Sequence, residues 1–157
     1  MLRGKTILAV DDEPDILETI VDLLESCRID TAASFRQAQD CLLTKNYDLA
    51  ILDVMGVKGL HLLDLAVRRK IPSVMLTAPA VSTEYIIQAQ ERGAMAYIFK
   101  EEMGQLETLL VQLFEVLARG EAPWAYTMKR IAPILDERLA PGWRNKLIAG
   151  PKQHPDR

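Results

Sequence analysis

The sequence has little of what builds a disulfide framework, a cysteine-based metal site or a glycine-lined phosphate loop. It contains two cysteines, Cys27 and Cys41. Both occur in helix-like stretches without metal-binding spacing, so we expect buried, inert thiols. The eight glycines form no cluster after a strand-like segment, which argues against a Gly-rich loop that cradles phosphates.

Long apolar runs and basic clusters are also missing. Charged residues interrupt every apolar stretch well before the roughly 20 residues that a membrane span requires, and residues 1–5 do not resemble a signal peptide. No Lys/Arg cluster is interleaved with aromatic residues, as nucleic-acid binding would require. With 157 residues, 49% hydrophobic and 26% charged, the composition predicts about one ordinary globular domain. We therefore expect a cytoplasmic protein with neither a membrane nor a nucleic acid as partner.

Charge is unevenly distributed along the chain. Residues 1–121 carry 12 Lys+Arg against 19 Asp+Glu, a net charge of −7, whereas residues 122–157 carry 7 against 3, a net charge of +4. We therefore interpret residues 1–120 as one domain and residues 121–157 as a C-terminal extension with different surroundings.

The apolar segment 7–10 ends abruptly in Asp11, Asp12 and Glu13, followed by Pro14. A continuous Val/Ile/Leu run is typical of a buried parallel strand, and Pro14 fits the first turn of a helix. The carboxylates would then lie at the edge where open α/β sheets bind ligands. Oxygen ligands of this kind suit Mg²⁺. An acidic helix N-terminus, favoured by the helix dipole, explains this motif equally well when it is taken alone.

Strand-like and helix-like segments then alternate five times. Such connections produce parallel strands with right-handed crossovers, so we expect an α/β fold with a three-layer, doubly wound sheet. The third helix is expected to turn Leu60, Leu63 and Val67 inward. The predicted strands are 5–10, 29–32, 48–53, 73–77 and 95–99, and the predicted helices are 14–27, 34–45, 58–70, 82–92 and about 106–117.

Four of the five predicted strands end in a polar functional residue: Asp11 with Asp12, then Asp53, Thr77 and Lys100. Carboxylates can hold Mg²⁺, while a hydroxyl and an ammonium can bind phosphate oxygens. Either an aspartate accepts a phosphoryl group as an acyl phosphate, or the acids hold a metal for a bound nucleotide. The missing Gly-rich loop disfavours the nucleotide. Asp53 is the better nucleophile because it stands alone on a central strand.

The order of these residues resembles that of response-regulator receiver domains of bacterial two-component signalling, over about residues 4–119. The resemblance implies a flavodoxin-like five-stranded parallel sheet of order 2-1-3-4-5 with helices on both faces. It also implies a histidine kinase or phosphotransfer protein as partner. The matching positions are Asp11-Asp12, Asp53, Thr77-Ala78 and Lys100, with Tyr97 three residues before the lysine.

The resemblance also implies a role for each residue. Asp53 would be the phosphorylated residue, and Mg²⁺ would be held by Asp12, Asp53 and the backbone carbonyl of Met55, with Asp11 acting through a water. Thr77 would bond the phosphoryl group and Lys100 would pair with it. Phosphorylation would draw in both side chains and would let Tyr97, the switch residue, turn inward.

Two departures from the family pattern lie beside the expected site. Family members usually carry a proline a few residues after the phosphoacceptor and another directly after the lysine. Here segment 55–59 lacks the first proline and looks about two residues short, and Glu101 replaces the second. We expect the peptide bond between Lys100 and Glu101 to be trans, since cis bonds are nearly confined to X-Pro. Neither change removes a phosphoryl or metal ligand.

Two other function classes compete with a phosphorylation switch. Aspartate-nucleophile phosphatases of the haloacid dehalogenase type use similar residues. Their pattern, however, has Asp-any-Asp on the first strand and the acid pair late in the chain. Here the pair comes first, and Met55 stands two residues after Asp53. A degenerate receiver that acts only as a binding module would be expected to lack a site residue, and none is lost.

The C-terminal extension is too short for the roughly 60 residues of a small DNA-binding output domain, so none is expected. Pro133 should kink or split a helix in this region, and the chain after 141 is expected to be a loose terminus. We expect residues 122–139 to fold back on the receiver or to pair with a second copy in a homodimer. A linker to an absent output domain is the alternative. Apolar residues recur at helical spacing, at Trp124, Met128, Ile131, Leu135 and Leu139.

Overall fold

The computed structural model describes residues 2–78 and 82–148. Strands and helices alternate through the first domain, and a short 3-10 helix, Lys100–Gln105, follows the last strand. The strands are β1 Thr6–Val10, β2 Arg28–Ala32, β3 Leu49–Leu52, β4 Ser73–Thr77 and β5 Ala96–Phe99. The helices are α1 Pro14–Leu23, α2 Phe35–Thr44, α3 Gly59–Arg68, α4 Thr83–Glu91, α5 Leu106–Ala118, α6 Pro123–Arg138 and α7 Trp143–Ile148.

The five strands form one parallel sheet in the order β2-β1-β3-β4-β5. Alternate side chains of each strand enter opposite cores: Leu8 and Val10 pack with α2, α3 and α4, whereas Ile7 and Ala9 pack with α1 and α5. This alternation follows from the two-residue period of a strand. The predicted doubly wound sheet and its strand order are confirmed.

Local boundaries differ from the predicted ones by a few residues. Helix α1 ends at Leu23 rather than near Cys27, because Leu24 leaves the helical conformation and its N–H still bonds the Ile20 carbonyl. The Ser34 side chain caps α2 by accepting from the Gln37 N–H at 3.2 Å. Ser82 precedes α4, but its side chain makes no capping hydrogen bond with the described residues.

The prediction that Val67 points inward is wrong, since its side chain is 40% exposed. The buried positions of α3 are 59, 62, 63 and 66, which form a single stripe at i, i+3, i+4 and i+7. Val67 lies beside that stripe. Leu63 is fully buried as predicted, and Leu60 is half-buried against the same core.

The C-terminal extension forms two helices that pack on the first domain. Helix α6 contacts α5 and the edge strand β5, and α7 contacts α4. Ile131 and Leu135 of α6 and Trp143 of α7 enter the core on the α2/α3/α4 side. The extension therefore folds back on its own domain. The prediction of a loose terminus after residue 141 is wrong for residues 143–148, which form α7. Residues 149–157 lie outside the described part of the chain.

We expected Pro133 to kink or split this helix, and the split is absent, because α6 is continuous from Pro123 to Arg138. Pro133 lies on the exposed side of α6, while Ile131 and Leu135 on either side of it are fully buried. Tertiary packing on both sides of the proline therefore outweighs its cost to the helix. Within residues 2–78 and 82–148, no helix is both long and apolar enough to span a membrane.

Candidate functional site

Strand register brings the predicted site residues to one edge of the sheet. Val10 of β1 pairs with Leu52 of β3, so the aspartates that follow both strands are neighbours, and the Asp53 N–H donates to the Val10 carbonyl at 3.0 Å. Thr77 of β4 pairs with Phe99 of β5, and Lys100 follows. Asp11, Asp53 and Thr77 are buried, with 1%, 4% and 3% of their surface exposed.

The Lys100 ammonium is the common partner of the acidic groups. Its Nζ lies 2.8 Å from Asp11 Oδ2, 3.6 Å from Asp53 Oδ1 and 3.7 Å from Glu13 Oε1. Burial alone would lower the pKa of Lys100, but Asp11, Asp53 and Glu13 outweigh burial and raise the pKa above its ordinary value. The lysine therefore stays charged, and it is outnumbered by carboxylates.

The pKa of Asp53 reflects both its burial and the acids around it. Burial and the nearby Asp11 carboxylate raise the pKa of Asp53 to about 7, although Lys100 acts in the opposite direction. A further cation beside such a carboxyl group stabilises its ionised form and lowers its pKa. The site is thus short of positive charge.

Three carboxylates at the start of α1 are close enough to share a cation. Asp11, Asp12 and Glu13 offer oxygens that all lie within 4.8 Å of one another. The donor set is oxygen only, which fits a hard ion such as Mg²⁺. Glu13 belongs to this group, although it was not among the metal ligands predicted from the sequence. The predicted ligands also included Asp53 and the Met55 carbonyl, which are not members of this group. That carbonyl accepts from the Val57 N–H at 2.9 Å, which leaves its second lone pair available for a metal.

Two glycines shape the loop after Asp53, and sequence reasoning missed both. Gly56 has φ +79°, and a Cβ at this position would lie 2.4 Å from Asp12 Oδ2. A Cβ on Gly59 would lie 1.8 Å from the backbone oxygen of Asp53. The loop therefore packs directly against both carboxylate-bearing residues, and only glycine fits. The shortness of segment 55–59 was the available signal.

Tyr97, the predicted switch residue, lies on β5. Its side chain is fully buried in this structure, and its response to phosphorylation stays a prediction. Burial raises the pKa of Tyr97, and the Thr77 hydroxyl offsets only part of that effect. The Tyr97 hydroxyl makes no hydrogen bond of good geometry with the described residues.

The missing proline after Lys100 is explained by what replaces it. Residues 100–105 form the 3-10 helix, and the described chain contains no cis peptide bond, so the expected trans bond is confirmed. Glu102 accepts from the Phe99 N–H at 2.9 Å and forms an ion pair with Arg130 of α6. Glu101 pairs with Arg138 of the same helix. Sequence reasoning missed these arginines, although the uneven charge pointed to them.

Comparison with known proteins agrees with this geometry. Residues 7–111 match the model of the response regulator receiver domain family. The chain is 32% identical over 117 residues to the response regulator protein PilR of Pseudomonas aeruginosa, covering 70% of this chain and 26% of that protein. It is 39% identical over 105 residues to PhoB, a phosphate regulon transcriptional regulatory protein of the same species, covering 62% and 45%.

A solved structure gives the same result at the level of a single domain. A CheY-like response regulator receiver domain protein from Methanospirillum hungatei matches with a TM-score of 0.63 and 28% identity, covering 71% of this chain and 95% of that one. The chain thus spans less than half of the length of the two curated relatives, but nearly all of an isolated receiver.

Proposed function

The chain belongs to the family of response regulator receiver domains, and from this premise we propose that Asp53 accepts a phosphoryl group from a histidine kinase or phosphotransfer protein in a Mg²⁺-dependent reaction. One observation carries the proposal. Asp53 is a buried carboxylate whose oxygen lies 3.6 Å from Lys100 Nζ, in a site where acids outnumber bases. Such a site binds a cation and a phosphoryl group together better than it binds either alone.

The reaction uses groups of this chain in distinct roles. A carboxylate oxygen of Asp53 attacks phosphorus, the bond from phosphorus to the donor atom breaks, and an acyl phosphate forms with the donor leaving as the free group. Lys100 would shift its pairing from Asp11 toward the phosphoryl oxygens. The Thr77 hydroxyl, buried at the end of β4, would donate to another of these oxygens.

Asp11, Asp12 and Asp53, with the Met55 carbonyl, are the residues that we propose for holding Mg²⁺. Bound there, the ion would supply the positive charge that the acids lack and would stabilise charge on the transferring group. Glu13, which lies within the same cluster of oxygens, would balance the ion from the outer side.

We propose a switch rather than a turnover enzyme: the domain would catalyse only its own phosphorylation and dephosphorylation and would signal by protein contact, in the cytoplasm. The haloacid-dehalogenase alternative has less support, because Met55 occupies the position two residues after Asp53. A phosphorylation-independent binding module has less support because Asp11, Asp53, Thr77 and Lys100 are all present and lie at one edge of the sheet.

The test is labelling with acetyl phosphate and Mg²⁺, followed by intact-mass and peptide mass spectrometry. We expect one phosphoryl group, on Asp53, and none when Mg²⁺ is chelated. Asp53→Asn should abolish labelling, whereas Asp64→Asn, which removes a carboxylate that pairs with Arg92 on the outside of α3, should leave it intact. Labelling that persists in Asp53→Asn, or wild-type protein that takes no label, would refute the proposal.

A further inference from the structure

Strand β2 ends the sheet on one side, since β1 is the strand it pairs with and no other strand of the described chain lies beyond it. The Arg28 N–H donates to the Lys5 carbonyl at 2.8 Å, toward β1. The backbone groups of successive residues in a strand point to alternate sides. The N–H and C=O groups of Ile29 and Thr31 therefore point away from β1, toward the open edge.

Contacts within the chain close both ends of this edge. The Cys27 N–H donates to the Leu24 carbonyl at 2.9 Å, and the Ala33 N–H donates to Gln37 Oε1 at 2.9 Å. Between these two ends, the edge presents two N–H and two C=O groups to which no strand of the described chain is paired. Such a row of groups can pair with another extended chain, which then adds a strand to the sheet.

A groove between α1 and β2 lies beside the open edge. It has two adjoining parts, of about 470 Å³ and about 320 Å³, and Val21 and Asp22 line both of them. Ile29 lines the first part and Thr31 the second. The Val21 side chain is 41% exposed. A segment paired with β2 would therefore cover apolar surface as well as backbone groups.

The groove is acidic. Glu18, Asp22 and Glu25 line it, and no lysine, arginine or histidine is among its described lining residues. None of the three acids forms an ion pair with another described residue. Pairing of β2 with β2 of a second copy would bring these like charges together, which opposes self-association at this edge. The same charges favour a basic partner.

The spacing of the acids suits an extended chain. Glu18 and Asp22 are four residues apart on α1, which corresponds to about 6 Å along the helix axis. Side chains on one face of a strand are about 6.6 Å apart. Successive basic side chains on the α1 face of an added strand can therefore each approach a different acid.

We propose that the open edge of β2 and the acidic groove beside it bind an extended, basic segment of another protein. The segment adds a strand to the sheet and places Lys or Arg side chains at alternate positions against Glu18, Asp22 and Glu25. Backbone hydrogen bonds to Ile29 and Thr31 supply affinity, while the acids select for basic side chains. The inference goes beyond the proposed function and does not depend on phosphorylation.

The test uses the full chain and a fluorescein-labelled peptide in which lysine alternates with valine, with affinity measured by fluorescence anisotropy. Amide hydrogen exchange of the complex, followed by NMR, reports on the edge itself. We expect the Ile29 and Thr31 amides to exchange about tenfold more slowly with peptide bound, and the Asp30 amide, which faces β1, to change little. The same peptide with every backbone nitrogen methylated should bind about tenfold more weakly, as should a counterpart with glutamate in place of lysine.

Variants of the chain separate backbone pairing from charge. Thr31→Pro removes an N–H that faces the open edge. Edge strands tolerate such a proline, so we expect the fold to persist and the peptide affinity to fall about tenfold. Asp22→Asn and Glu25→Gln should each weaken binding about threefold and reduce its dependence on salt. Asp40→Asn, which removes an exposed carboxylate from α2 on the other face of the sheet, is the matched control and should bind as wild type.

The proposal is overturned if the lysine–valine peptide does not bind. Equal binding of the methylated peptide, or Ile29 and Thr31 amides that stay unprotected in the saturated complex, would also overturn it, because charge alone would then hold the peptide. A higher solution mass together with protection of these amides before peptide is added would make a second copy the occupant and would contradict a basic partner. The wild-type measurements decide the outcome even if Thr31→Pro fails to fold.

Discussion

Two clusters of charged residues involve residues 97–102. They differ in whether the acidic groups outnumber the basic ones. At the edge of the sheet that carries Asp53, one ammonium, that of Lys100, faces the carboxylates of Asp11, Glu13 and Asp53. Where α6 packs on β5, Glu102 pairs with Arg130 and Glu101 pairs with Arg138. Both clusters include mostly buried groups, and in the first cluster burial and the neighbouring acids raise the pKa of Asp53 to about 7.

The two clusters illustrate two uses of buried charge: an unbalanced cluster can bind a further ion or group, whereas matched ion pairs stabilise the fold. A buried acid without a matched base destabilises the folded state until a cation arrives, whereas a matched pair is satisfied within the chain and costs stability when one partner is removed. Removing an acid should therefore have opposite effects on stability in the two clusters. The predictions below test this contrast, from the largest expected effect to the smallest.

Gly59→Ala tests the packing around Asp53 without changing any charge. A Cβ would lie 1.8 Å from the Asp53 carbonyl oxygen, so α3 or the strand end must move. We expect a loss of about 3 kcal/mol in the free energy of unfolding, measured by urea denaturation, together with slower phosphorylation. Gly104→Ala is the matched control, since nothing lies within 4 Å of a Cβ there. Equal stability of the two variants would contradict the packing argument.

Glu102→Gln tests the balanced cluster. The substitution leaves Arg130 buried with an unmatched charge, although a glutamine can still accept from the Phe99 N–H. We expect the free energy of unfolding to fall by about 2 kcal/mol. The double variant with Arg130→Met should recover part of this loss, because no unpaired charge then remains. A double variant no more stable than the single one would argue against a charge-paired contact between α6 and the 3-10 helix.

Asp53→Asn tests the unbalanced cluster and should have the opposite sign. Without added metal, we expect a gain of about 1 kcal/mol at neutral pH, because burial and the neighbouring acids disfavour the Asp53 charge. The raised pKa means that the folded wild type holds this proton from about pH 4 up to about pH 7. Wild-type stability therefore falls as the pH rises through that window, and the gain of the variant grows.

Mg²⁺ provides the control for the Asp53→Asn variant. The ion should stabilise wild type more than the variant, since the variant lacks one ligand, and thermal melting at several pH values with and without Mg²⁺ measures both effects. An Asp53→Asn protein that is less stable than wild type above pH 7 without metal would show that the acids there are already balanced.

An exposed ion pair at the opposite edge of the sheet provides the smallest effect. Asp30 accepts from the Tyr47 hydroxyl at 2.6 Å and pairs with Lys45 at 3.1 Å, and these partners lower the pKa of Asp30. Its stabilisation is therefore present above the ordinary carboxyl pKa and is lost as the pH falls through the lowered one. We expect Asp30→Asn to cost a few tenths of a kcal/mol at pH 7 and nothing in strong acid. A large loss would show that exposure does not weaken such pairs.

Prediction from sequence worked best where a local pattern has a single structural solution. Apolar runs that end in Asp11, Asp53, Thr77 and Lys100 are buried parallel strands, and parallel strands place their carboxyl ends along one edge. The pattern failed where a residue could turn either way: Val67 fits the helical period of α3, but the packing of α3 rotates it to the surface. The predicted split at Pro133 is absent for a related reason. The rule that proline interrupts helices takes no account of the burial of Ile131 and Leu135.

By itself, the sequence determined the five alternating strands and helices, the edge at which the acids and Lys100 meet, and the presence of a basic apolar segment after residue 121, because each depends on periodicity or composition. Only the tertiary structure decided that this segment covers β5, that Glu101 and Glu102 receive Arg138 and Arg130, and that Gly59 touches the backbone of Asp53. These contacts join residues distant in the chain or depend on loop shape, so they depend on how whole elements pack, and no local pattern specifies that packing.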